Sequence, residues 1–160
     1  MIAPVTAIAA GPYHTVAIVG HAATNIPPAI TTPPISQIAV AGTNVTFTVG
    51  GTGNITLSGA IGQSGVCSLT KVAANTLTLS VANSFSGGAT LNAGQVNVNN
   101  ATALGSGTFT IAGGAFDNTT AGGITINNAM AWNANFAYGG TTNLTQQTGA
   151  VTMGGNIVVS

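Results

Sequence analysis

The sequence predicts an all-β chain: a β-solenoid of stacked coils behind an extended, proline-bearing arm. Three observations carry this. Apolar and polar residues alternate in short runs separated by Gly- and Asn-rich turns, a period-2 signal. The 160 residues include 23 glycines spread along the chain, which disfavours long helices. Charged residues make up only 1% of the chain, so neutral polar side chains must hydrate the surface. Stacked Asn and Thr ladders do this in a solenoid, where a globular domain uses charges.

Residues 1–35 form the first region. Pro27-Pro28 and Pro33-Pro34 bracket Ala-Ile-Thr-Thr, and prolines at this density exclude helix and central strand. The expectation is an extended arm or linker with β-bridges. Residues 36–160 form the second region, the solenoid repeats. Its first strands are Ile38–Ala41, Val45–Val49 and Ile55–Ser58, divided by Gly42-Thr-Asn and Gly50-Gly-Thr-Gly. Later strands are expected at Leu77–Ser80, Ala89–Leu91, Gln95–Asn97, Thr108–Ile111, Ile124–Ile126, Asn135–Tyr138, Ala150–Met153 and Ile157–Val159. The stretch Asn127–Asn135, with Ala-Met-Ala-Trp, reads as a single helical turn or as strand. The pairs Leu77/Leu79, Val96/Val98, Phe109/Ile111 and Ile124/Ile126 have the i, i+2 spacing of one strand face and are the candidate core.

Residues 68–111 carry a family resemblance. Leu69-Thr70-Lys71, Thr76-Leu77-Thr78-Leu79-Ser80, Asn83-Ser84-Phe85-Ser86-Gly87-Gly88, Asn92-Ala93-Gly94 and Ala103-Leu104-Gly105-Ser106-Gly107 occur in order. They resemble the autotransporter-associated β-strand repeat, also called the passenger-associated transport repeat. The resemblance continues through Phe116–Thr120, Trp132–Phe136 and Thr148–Asn156 and covers about residues 68–160. It implies a right-handed parallel β-helix in large secreted surface proteins of bacteria. Val72-Ala-Ala-Asn stands where the repeat has glycines, and nothing in the chain resembles an outer-membrane barrel. Weaker echoes precede it. Val5–Ile18 resembles one strand of a chromosome-condensation-regulator-type propeller repeat, and Pro28–Val49 resembles the opening strands of a bacterial immunoglobulin-like domain.

Charge excludes several function classes. The only Lys or Arg is Lys71 and the only acidic residue is Asp117, for a net charge of zero. No basic patch exists for nucleic acid or anionic lipid, and near-zero charge favours self-association. No run of about 18 apolar residues suggests a membrane span. The start, Met-Ile-Ala-Pro-Val-Thr-Ala-Ile, lacks a basic leader region. We read it as a mature or internal piece of a longer secreted protein in preference to a start at a Met1 added for expression.

Candidate chemistry is sparse, and no enzyme activity or cofactor is expected. Glycoside hydrolysis typically needs two carboxylates, and Asp117 reads as a turn residue. Lys71 reads as a solvated strand-end or turn residue. His14 and His21 lie near no acidic residue or Cys and make no metal site. Cys67 is the sole cysteine, so no internal disulfide can form. Tyr13, Trp132, Phe136 and Tyr138 read as core in preference to a sugar-binding strip. The Asn-x-Ser/Thr sequons at Asn44, Asn54, Asn100, Asn118 and Asn143 are near chance in a chain this rich in Asn and Thr. Thr-x-Thr pairs at Thr46/Thr48, Thr76/Thr78 and Thr108/Thr110 hint at an ice-binding face. However, their spacing skips rungs of about 20 residues, and β propensity explains them as well.

The expected function is structural. The chain is read as a subunit or segment of an extracellular bacterial fibre or surface stalk, secreted or displayed at the cell surface. It stacks head to tail through an apolar end formed by Ile157, Val158 and Val159, while the N-terminal arm adds a strand to a neighbour. Its partners would be itself or the continuation of a longer chain, with no nucleic acid or small-molecule substrate and only indirect membrane attachment. The alternative is a passenger fragment of a giant autotransporter-like adhesin that binds glycan or a host surface.

Overall fold

The structure, a computed structural model, describes residues 45–63 and 65–160. The arm expected over 1–35, with Tyr13, His14 and His21, and the strand expected at 38–41 lie outside the described residues. Thirteen short strands follow one another: β1 (Val45–Val49), β2 (Ile55–Leu57), β3 (Cys67–Lys71), β4 (Thr76–Leu79), β5 (Ala89–Leu91), β6 (Gln95–Val98), β7 (Phe109–Ile111), β8 (Ala115–Asp117), β9 (Ile124–Ile126), β10 (Met130–Trp132), β11 (Ala137–Tyr138), β12 (Leu144–Gln146) and β13 (Val151–Met153). No helix occurs among the described residues.

The strands stack into three parallel sheets and make a β-solenoid. The first has the order β1-β3-β5-β7-β10-β13, the second β11-β8-β6-β4-β2, and the third β12-β9. Every pairing is parallel. Along the first sheet, Val45 pairs with Cys67, Leu69 with Ala89, Ala89 with Phe109, Phe109 with Met130 and Met130 with Val151. The chain therefore advances one rung every 20–22 residues.

Alternation decides which side chains fill the interior. The inward positions align as columns, one running Ile55, Leu77, Val96, Phe116, Tyr138 and another Leu57, Leu79, Val98. Leu77, Leu79, Leu91, Val98, Phe109 and Ile111 are at most 1% exposed. Burying a side chain of this size contributes roughly 1.5–3 kcal/mol. The candidate core pairs behave as expected, with Ile124 only half-buried at the edge.

Buried Asn side chains fasten the turns. Asn83 Oδ1 accepts from the Ile61 amide at 2.7 Å, and its Nδ2 donates to the Ala103 carbonyl at 2.6 Å, so one side chain ties the rungs before and after its own. Asn128 Nδ2 donates to the Gly105 and Gly107 carbonyls at 3.0 and 2.8 Å. Asn75 Nδ2 reaches the Gly53 carbonyl at 2.7 Å. These amides satisfy turn carbonyls that the ladders leave over, which a buried backbone requires.

Four expectations need correction. Asn127–Asn135 holds no helical turn: Met130–Trp132 is strand β10, because Met130 and Trp132 sit in inward columns two residues apart. Lys71 is not solvated. It is 1% exposed, because the Leu69-x-Lys71 alternation places it inward, between Val49 and Leu91. Asp117 is not a turn residue but the buried last residue of β8. The expected strand Ile157–Val159 is reduced to a single parallel bridge between Phe136 and Val159. Strands β3, β8 and β12 also go beyond the expected set.

Candidate functional site

The end of the solenoid beyond β10 and β11 gathers the residues singled out as an assembly surface. Val158 and Val159 are exposed, at 62% and 47%, while Ile157 packs partly against the core. Their backbone extends the second sheet: the Phe136 amide donates to Val158, the Ser160 amide to Phe136, and the Tyr138 amide to Ser160. On the first sheet, β13 ends the stack, with Val151 and Met153 exposed. The sequence reading missed these two residues. Their apolar i, i+2 spacing is the signal that could have found them.

Between these two edges the end rung is hollow. A cavity of about 250 Å³ opens there, lined by Phe116, Met130, Trp132, Phe136, Tyr138 and Leu144 with Gln146 and Val159. The aromatic rings pack against one another at centroid separations of 5.1–5.7 Å, the range of favourable edge and offset contacts. Trp132, Phe136 and Tyr138 thus belong to the interior, as the sequence suggested. The third sheet stops at β12, and among the described residues no strand lies beyond it. Trp132 Nε1 is buried here without a hydrogen-bond partner among the described residues. Leaving such a donor unpaired costs about 1–3 kcal/mol.

Neither formal charge reaches this surface. Lys71 Nζ donates to the carbonyls of Val72 (2.6 Å), Ala73 (2.7 Å) and Ala93 (3.3 Å) and to Asn75 Oδ1 (3.0 Å). The ammonium has three N–H groups, so the longest contact shares one. Burial holds the Lys71 pKa below its ordinary value. Asp117 Oδ1 accepts from the amides of Asn118 (2.8 Å) and Thr141 (3.1 Å), and Oδ2 accepts from the Thr141 hydroxyl. Its carboxylate is thus committed to holding the turn of the next rung. Burial, and secondarily the Asp117 charge, push the Tyr138 phenol up, against the opposing effect of the Leu144 backbone. Cys67 is half-buried, and burial likewise raises its thiol pKa, which disfavours the reactive thiolate.

Among the described residues, no group of three or more His, Cys, Asp or Glu side chains could hold a metal ion. No family model matches the chain, and no curated protein or solved structure matches it. The arrangement defines a neutral β-solenoid with an open apolar end.

Proposed function

We propose that this chain is a structural unit of an extracellular bacterial fibre or surface stalk, and that its C-terminal face is covered by the first rung of a second copy. The observation that carries this reading is the incompletely filled end rung: exposed Val151, Met153, Val158 and Val159 beside an open apolar cavity. Open strand edges and an apolar cross-section invite another β-rung. Among the described residues, β1 stands at the other limit of the first sheet, and its inward, equally apolar Phe47 and Val49 lie in the same columns as Val151 and Met153. A contact between two different ends is heterologous and propagates into a filament when the rotation does not close. The repeat resemblance supports an extracellular setting, and the lack of surface charge removes the repulsion that would oppose stacking.

The second reading, a passenger segment of a giant adhesin, has the same face covered by further rungs of a longer chain. Negative-stain electron microscopy over a concentration series separates the two. Uniform filaments from the purified chain, lost in Val158→Lys, support the fibre reading. Discrete monomers at every concentration reject it in favour of the passenger segment.

A further inference from the structure

Register in the first sheet aligns a file of threonines that no local motif displays. The outward positions Thr48, Thr70, Thr90, Thr110, Ala131 and Thr152 are successive partners across β1, β3, β5, β7, β10 and β13. Five of these six rungs present Thr at the same register. Rungs of a parallel stack lie about 4.8 Å apart, so the file repeats at that distance. The neighbouring outward positions two residues earlier carry small side chains, including Thr46, Ser68, Thr108 and Ala129. The Thr-x-Thr pairs of the sequence are a poor guide to this file, since Thr76/Thr78 belong to the second sheet.

Most hydroxyls on this file are free, although that of Thr152, on the last rung, donates to the Met130 carbonyl at 3.3 Å. Those of Thr48, Thr70, Thr90 and Thr110 have no side-chain or backbone partner among the described residues. The corresponding file on the second sheet differs. Thr56, Thr78, Asn97 and Asp117 align there, but Asn97 Nδ2 bonds Thr78 Oγ1 at 3.1 Å and Asp117 is buried. β propensity accounts for Thr in both sheets, but not for four consecutive rungs, Thr48, Thr70, Thr90 and Thr110, whose hydroxyls stay unpaired in register.

We propose that this threonine file binds ice. A ligand that meets chemically identical groups at one constant interval must itself be periodic. The rung interval is close to the repeat of water oxygens along a basal axis of hexagonal ice. Each Thr offers one hydroxyl that can replace a lattice water, with a methyl group that prefers to leave liquid water. The face carries no charge that would hold a disordering hydration shell, because Lys71 and Asp117 are both buried. A crystalline polysaccharide is also periodic, but stacking on sugar rings calls for outward aromatics. Phe47, Phe109 and Trp132 on these strands all take inward registers.

The test is ice shaping and thermal hysteresis of the full chain in a cooled-stage osmometer, with recrystallisation inhibition as a second readout. Wild type is expected to facet ice crystals and arrest their growth. Thr90→Lys and Thr110→Tyr should each lower activity at least tenfold while circular dichroism stays unchanged. Thr78→Lys, on the second sheet, should leave it intact. Round, freely growing crystals with wild type at high concentration would overturn the proposal. So would full activity in folded Thr90→Lys, or binding to insoluble chitin or cellulose with no effect on ice.

Discussion

The middle rungs and the end rung are built from the same alternation but differ in closure. From β3 to β8 each inward column has a paired strand on both sides, and Leu77, Leu91, Val98 and Ile111 are essentially inaccessible. Beyond β10 the columns run out into Val151 and Met153, the third sheet stops, and a cavity opens. Stability in this molecule therefore comes from the rung on either side and not from the strand itself, as expected for a quasi-one-dimensional stack. A side chain's energetic weight follows its position in the column more than its identity.

The largest effect expected from this contrast is at matched apolar positions. Leu91→Ala in a closed column should destabilise by about 2–5 kcal/mol, whereas Met153→Ala at the open end should cost under about 0.5 kcal/mol. Urea unfolding of both variants checks this, and equal losses would break the comparison. Glycines provide a similar contrast. Gly105 has φ +66, and a Cβ there would meet the Phe85 carbonyl and ring, while nothing lies within 4 Å of a Cβ at Gly155. Gly105→Ala is expected to lower the melting temperature sharply and Gly155→Ala hardly at all, as thermal scans would show.

Lys71 sharpens the comparison from inside a closed rung. Lys71→Met removes the donor from four oxygens, and stability should fall by about 1–3 kcal/mol. Unchanged denaturation would mean that relief from desolvation offsets the lost bonds. At the last rung, Trp132→Phe deletes an N–H that has no partner among the described residues. Monomer stability should barely change, while sedimentation should show weaker self-association if a second copy supplies the acceptor.

The smallest effects concern pH. The folded Tyr138 pKa is raised above 10.0, so its contribution is present below that value and is lost as pH rises through the folded value. Lys71 acts in the opposite sense: its folded pKa is lowered from 10.5, so between the two values stability rises with pH. In a Tyr13→Phe variant, the remaining tyrosinate signal should titrate above 10 with loss of structure.

Much of the fold was legible because the solenoid's signal is local. Leu77/Leu79 and Val96/Val98 announce their columns within four residues, and Gly- and Asn-rich separators mark the turns. Met130–Trp132 was ambiguous because a three-residue strand is shorter than the window in which period 2 and period 3.6 separate. Lys71 misled for a different reason. Its phase with Leu69 placed it inward, but its charge argued for water, and only the carbonyls of Ala73 and Ala93, brought together by stacking, decide the matter. Ile157–Val159 was readable as apolar sequence, whereas the Trp132 cavity depends on strands roughly a rung apart. The threonine file is a product of register and has no signature in any single segment.

The advance of one rung per 20–22 residues also sets how such a molecule gains length. Each rung adds about 4.8 Å along the axis, where the same chain wound as a single α-helix would span roughly 30 Å. A body built this way gives up reach for girth. Its bending resistance grows steeply with the width of its cross-section, so a short piece behaves as a rigid strut. Duplicating one rung's worth of sequence would lengthen that strut by a fixed step without altering its thickness.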